Sequence, residues 1–304
     1  MKAMSPDNEF ARSAASTPPP IWLRDAVPPA WTPGPPPLPR HSLRHRILAA
    51  ALFLLTALST SFTWGPSYGL AVMVILLSHE MGHYLMCRRY RVPSTLPLFI
   101  PMPVISPFGT MGAVILMRQA GRTRKELFDI GIAGPLAGLI PSVAAIVWGL
   151  YHSQVLPTAA PPGVGMRLGE SLLMSALEKA VYPQLPEQAE LLLHPVAYAG
   201  WAGLFVTALN LLPVGQLDGG HVVYGILGRR SVWVSWAVLA GLAVLAVFHP
   251  QWWVLVAVLF LVVGPRHRPA LDESVPVDRN RVLLGAFALA VFVLCFTPEP
   301  FLLK

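Results

Sequence analysis

The chain has 304 residues, of which 54% are hydrophobic and only 12% charged, with a mean hydropathy of +0.57 and a formal net charge of +7. Soluble globular domains carry about 25% charged residues, so this composition excludes an ordinary soluble domain and points to an all-α polytopic membrane protein. In that class a positive excess orients loops, and no nucleic-acid partner is expected.

The first forty residues contain eleven prolines, as in TPPP, VPP and TPGPPPLPR. Such a tract cannot bury a core, so residues 1–45 read as a Pro-rich, disordered cytoplasmic tail with no cleavable signal peptide. Seven apolar runs follow, at 47–65, 68–86, 129–151, 195–212, 231–248, 252–264 and 282–296. Most approach the ~20 residues that cross about 30 Å of hydrocarbon, and the sixth is short. The pattern predicts six to seven transmembrane helices within a membrane-embedded domain at 46–297, the region 231–265 being either two spans or one bent hairpin. A short tail, 298–304, follows.

The basic clusters RHSLRHR, CRRYR, RQAGRTRK, GRR and PRHR all fall on one side if the N-terminus is cytoplasmic. The loop 152–194 then lies outside, with Glu170, Glu178, Glu187 and Glu190 against Arg167 and Lys179. That asymmetry is what the positive-inside rule demands.

Two segments do not span. Residues 92–117 are apolar but carry prolines at 93, 97, 101, 103 and 107, which exclude a continuous helix. A re-entrant, β-like hairpin beside an internal cavity fits, because irregular backbone survives at membrane depth only where protein or water covers it. Residues 168–182 have an amphipathic pattern suited to the outer surface. Cys87 and Cys295 fall near opposite faces in this topology and are expected as free, buried thiols.

The stretch LLSHEMGHYLM carries the chemistry. His79 and His83 are four apart and share one helix face, where two imidazoles can ligate one zinc ion. Glu80 lies beside them, placed to take a proton from the water that the metal activates. Histidines and a glutamate inside an apolar span are costly, which favours function over helix-to-helix hydrogen bonding. A catalytic zinc takes three protein ligands and leaves a fourth position open. Asp218, in ALNLLPVGQLDGGH, is the preferred third ligand, because Pro213 and the glycines around it should unwind the chain and turn the carboxylate inward. His221, three residues on, remains a candidate ligand or a partner of one.

Together, HEMGH and NLLPVGQLDGG resemble the site-2 protease family of intramembrane zinc metalloproteases, the M50 type, which pairs HExxH in one span with a distant NxxPxxxLDG motif. Here the second motif reads Asn210, Pro213, Leu217, Asp218 and Gly219. The resemblance covers roughly residues 68–228, and FGTMGAVI, IAGPLAG and HPVAYAGWAGLFVTALN are similar to the plastid and cyanobacterial branch.

The resemblance implies one Zn2+ per chain on His79, His83 and Asp218, Glu80 as the catalytic base, and Asn210 near the site, holding substrate or the developing oxyanion. It implies a zinc endopeptidase of the lipid bilayer that cleaves transmembrane or membrane-tethered proteins, such as anti-sigma factors, in regulated intramembrane proteolysis. An upstream site-1-type protease would act first, and the setting would be a bacterial inner (plasma) membrane. No PDZ domain fits in 152–194, and no C-terminal nucleotide-sensing (CBS) domain is expected.

The segment 107–115 offers a strand edge to an unwound substrate, or else only seals the cavity. Gly134 and Gly138 form a small-xxx-small face for tight helix packing. Two alternatives use some of the same residues. A membrane zinc transporter would not need Glu80 beside the ligands, and a non-proteolytic, partner-binding relative would be expected to have lost HExxH.

Overall fold

The computed structural model describes residues 41–117, 123–156, 167–184, 186, 189–249, 254–255, 258, 261, 263–274 and 276–302. The proline-rich tract through residue 40 and most of the run 252–264 lie outside the described residues.

Helix α1 (Leu43–Trp64) opens on Ser42, whose hydroxyl accepts from the His45 amide at 3.2 Å. It stops at Gly65, whose φ of +93° favours glycine, and Pro66 begins α2 (Pro66–Arg89) where a missing N–H costs nothing. The prolines then enforce extended backbone. β1 (Leu98–Pro101) and β2 (Thr110–Val114) pair antiparallel, with Leu98 opposite Val114 and Phe99 opposite Ala113. The register shifts between Phe99 and Pro101, so Met111 and Gly112 bulge from the ladder.

α3 (Arg124–Tyr151) is capped by Thr123, whose hydroxyl accepts from the Glu126 amide at 3.3 Å. On the far side of α3 come β3 (Gln154–Leu156), β4 (Arg167–Leu168), α4 (Leu172–Val181) and β5 (Glu190–Leu192). α5 (Pro195–Asn210) follows, then α6 (Asp218–Leu227), a single 3-10 turn at Gly228–Arg230, and α7 (Ser231–Phe248). α8 (Arg279–Cys295) and β6 (Phe301–Leu302) complete the fold.

α3 is the central helix, packed against α2, α5 and α6. Its far end is covered by two small antiparallel ladders, β3 with β5 and β4 with β6, and by α4. The cover is tied down by polar contacts to buried backbone. The indole of the fully buried Trp201 donates to the Gly169 carbonyl at 2.8 Å, and the Tyr182 hydroxyl donates to the Leu150 carbonyl at 2.6 Å. At the other end Arg281 grips Asp129 through Nε and Nη2, at 2.8 and 2.6 Å, and Tyr90 donates to the same carboxylate. That bidentate clamp joins α8 to α3. Cys87 and Cys295 are both free and buried.

Among the described residues, four segments are long and apolar enough to cross a bilayer: Leu43–Trp64, Pro66–Arg89, Arg124–Tyr151 and Asp218–Phe248, the last joining α6 and α7. α5 and α8 are also apolar but shorter, at 16 and 17 residues. Large apolar side chains point outward around the bundle, among them Leu58 and Phe62 of α1, Trp233 and Phe248 of α7, and Leu283 of α8. A contiguous apolar exterior of this kind matches lipid rather than water. The chain is an integral membrane protein, mostly helical.

The covering helix α4 carries a titrating group. Burial, and then the nearby Glu170, raise the Glu178 carboxyl from 4.5 to about 7. The folded protein thus holds this proton more tightly than the unfolded chain. Its stabilising contribution is complete below 4.5 and is lost as pH rises through about 7. Amide exchange in α4, corrected for intrinsic chemistry, should be faster at alkaline pH than at pH 5, and Glu178→Gln should flatten that dependence.

Candidate metal centre

His79, Glu80 and His83 lie on α2 where that helix faces α3, and His79 and Glu80 are buried. Two helices carrying such side chains at contact distance need space, and α3 provides it with glycine. A methyl group on Gly134 would meet His83 Nε2 at 2.0 Å, and one on Gly138 would meet His79 Cβ at 3.1 Å. A methyl group on Gly131 would meet His221 Cβ at 2.6 Å and the Asp218 carbonyl oxygen at 3.0 Å. The small face of α3 is therefore the seat of the imidazoles as well as a packing surface.

Asp218 arrives from another helix. α5 ends at Asn210, and Pro213 cannot continue it. The chain turns through Gly215, at φ +48°, and restarts with Asp218 as the first residue of α6. The carboxylate thus occupies a helix N-terminus, where unpaired N–H groups favour negative charge. The short break turns the side chain back toward α2.

His79, His83 and Asp218 are brought together. Their ligand atoms form a nearly equilateral triangle: His79 Nε2 to His83 Nε2 is 3.1 Å, and each lies 3.3 Å from Asp218 Oδ2. Zinc bonds of about 2.0–2.1 Å in a tetrahedron require ligand atoms about 3.3 Å apart. Three donors at that spacing fit one face of a zinc site and leave the fourth corner free. His83 is already oriented for the task, since its Nδ1–H donates to the Ile130 carbonyl at 2.7 Å and leaves Nε2 bare. Among the described residues, these three form the one group of histidine, cysteine and carboxylate ligands that could hold a metal ion.

The triangle opens into a cavity of about 210 Å³. Glu80 lines it, as do Asn210, Gln216 and His221, with Ala113 to Ile115 of the hairpin opposite. The Asn210 amide reaches His79 Nε2 at 3.3 Å. His221 does not join the three donors. Its Nδ1 is taken by His267 Nε2 at 2.7 Å, while His267 Nδ1–H donates to the Arg268 carbonyl at 2.5 Å. That order makes His221 Nδ1 the donor and leaves its Nε2 as an acceptor. Burial, and then the His221 ring, hold His267 low, at about 3, so it stays neutral.

His267 is a contact that sequence reasoning missed. It falls in PRHR, read there only as part of a basic cluster, and nothing local to it signals a partner 46 residues earlier. It belongs to a strap, residues 264–274, that lies along α6. The His267 ring stacks on Tyr224 at 4.2 Å, and the Tyr224 hydroxyl donates to Glu273 at 2.6 Å.

The profile of Peptidase family M50 matches residues 67–248, more than half of the chain. The protein described as "Probable zinc metalloprotease EGY1, chloroplastic" of Arabidopsis thaliana is 36% identical over 242 residues, which cover 76% of this chain and 42% of that protein. "Probable zinc metalloprotease EGY2, chloroplastic" of Oryza sativa subsp. indica is 30% identical over 241 residues, covering 77% of this chain and 43% of that protein. The chain thus spans less than half the length of these relatives. No solved structure matches it.

The seat on α3 gives a test. Gly134→Ala places a methyl group against the His83 ring, which must move out of the triangle. Zinc affinity, read by competition with a chromophoric chelator, should fall about 10-fold or more, the scale on which disturbed ligand orientation acts.

Proposed function

The chain belongs to peptidase family M50, and on that footing we propose that it is an intramembrane zinc endopeptidase acting on transmembrane or membrane-tethered proteins. The observation that carries this reading is the triangle of His79, His83 and Asp218 with Glu80 in the wall of the same cavity, all on apolar helices. Buried histidines and carboxylates at membrane depth persist when they serve a reaction or a pathway.

Zinc, when bound, supplies Lewis acidity that polarises a scissile carbonyl and acidifies water. The protein does the rest. His79 and His83 present neutral nitrogens from a rigid helix, and Asp218 adds negative charge from a helix N-terminus. Glu80 takes a proton from the attacking water and delivers it to the leaving amide nitrogen, a transfer worth about 10²–10⁴ in rate. Asn210 lies beside the triangle and offers a hydrogen bond to the oxygen on which charge develops.

A helical substrate must be unwound before its amides can be attacked. β2 supports an account of how it is then held. Among the described residues its partner is β1 on one side only, and its Ala113 and Val114, with Ile115 just past its end, line the metal cavity. An extended peptide pairing with that edge would run past Glu80.

In this proposal α5 and α8 add to the four longer segments to give six spans, the apolar sequence at 252–264 offers a seventh, and the hairpin is re-entrant. The setting proposed is a bacterial inner membrane with the N-terminus in the cytoplasm. The basic clusters at 44–46 and 88–91, at the start of α1 and the end of α2, support that orientation. Substrates would arrive already shortened by an upstream protease.

The test is direct. Purified protein should bind one zinc per chain by the ligand argument. Glu80→Gln should keep its zinc and cleave a membrane-tethered reporter at least about 100-fold more slowly. Asp218→Ala should lose zinc, and chelation of the unaltered protein should abolish a cleavage that added zinc restores. Normal cleavage by Glu80→Gln would refute the mechanism.

A further inference from the structure

A second, larger cavity of about 430 Å³ lies beside the metal cavity, and its walls are almost wholly apolar. Three elements, α2, α5 and β2, contribute to both. On α2, Val72, Ile75 and Leu76 line the apolar cavity, and His79 follows on the same face. On α5, Val206 and Leu209 line it, and Asn210 follows. On β2, residues 110–112 line it, and Ala113 and Val114 pass into the metal cavity.

Measured from Val72 on α2 and from Thr110 on β2, the separation agrees along both routes. Val72 precedes His79 by seven residues of helix, about 10 Å of rise. Three residues of strand also cover about 10 Å.

The polar groups in the wall are already engaged. Ser106 Oγ donates to the Thr110 carbonyl at 2.6 Å, Thr110 Oγ1 to the Ile100 carbonyl at 2.9 Å, and the Tyr68 hydroxyl to the Phe108 carbonyl at 3.2 Å. An occupant is therefore offered little beyond apolar contact, and a charged one would be stranded. Small residues of α5, Ala199, Ala202 and Gly203, create the space. Pockets of roughly 300–1,000 Å³ hold whole small molecules, so this one takes a full leucine, methionine or phenylalanine side chain.

We propose that this cavity is a specificity pocket for a bulky apolar side chain of the substrate, about three residues from the scissile bond by the strand rise. The proposal rests on the peptidase reading above. What favours a peptide over a lipid acyl chain is the shared strand: a peptide laid along β2 with its scissile bond at the triangle passes the mouth of the cavity.

The experiment uses zinc-loaded protein in proteoliposomes and a membrane-tethered reporter whose cleavage site is located by mass spectrometry. Each reporter position within five residues of the cut is changed in turn to Leu, Ala and Asp. One position two to four residues from the cut should prefer Leu to Ala by about 10-fold or more in kcat/KM, with Asp rejected further. Val206→Phe fills the cavity and should reduce that preference to less than about 2-fold, the pocket contact then being lost for Leu as for Ala. Zinc content is measured alongside, and Ala202→Leu replaces Val206→Phe if the latter does not hold zinc.

The absence of any such position, or an equal loss for Leu and Ala reporters in the filled variant, overturns the proposal and leaves the cavity to lipid or to packing. Failure of the zinc-loaded protein to cleave any reporter overturns the peptidase reading itself.

Discussion

Three candidate ligand atoms from two helices meet within 3.3 Å in an apolar bundle, and much of the architecture makes that encounter possible. Two imidazoles come at no structural cost, since positions four apart on α2 already share a face. The carboxylate does not. It must come from elsewhere in the chain, and regular helix would aim it wherever the helix pitch dictates. The break between α5 and α6 resolves this. Proline ends one helix, a glycine turns the chain, and the next helix starts on Asp218 with its N-terminal amides behind the charge.

Such a break is costly in hydrocarbon, because each unpaired backbone group there costs several kcal/mol. The protein covers it. α3 packs against both α2 and α6 with glycines at the contact points, and the strap carrying His267 lies along α6. The His267–His221–cavity chain shows how far this goes, since it sets the tautomer of a residue in the cavity wall from a segment between α7 and α8. The hairpin closes the other side. Its prolines forbid helix, and its glycines permit the bulge at Met111 and Gly112, so a strand edge borders both cavities.

Much of this was legible in the sequence. Composition gave the membrane class, because charged residues are excluded from lipid whatever the fold. The proline pattern of 92–117 ruled out a helix for a local reason. The spacing of His79, Glu80 and His83 is itself a geometric statement, valid wherever that segment is helical. Asp218 was reachable as a candidate because the proline and glycines around it mark a break. The number of long spans was less legible. Hydropathy does not tell a helix buried by neighbours, such as α5 with 16 residues, from one that crosses alone, and it did not show that 218–248 runs on as one apolar segment.

The sequence by itself determined the chemistry on offer: two histidines and a glutamate within about one helical turn, a carboxylate beside a proline-glycine break, and a proline-rich hairpin. Only the tertiary structure shows that Asp218, and not His221, lies within reach of both imidazoles. It sets Asp218 at 3.3 Å from both imidazoles and turns the Nδ1 of His221 away to His267. The tertiary structure alone also set an apolar cavity next to the metal cavity. The reason is the same for both. Local patterns fix which face of an element a side chain occupies, whereas the distance between faces of α2, α3, α5 and α6 depends on contacts between residues from about fifty to more than a hundred positions apart, which no local pattern encodes.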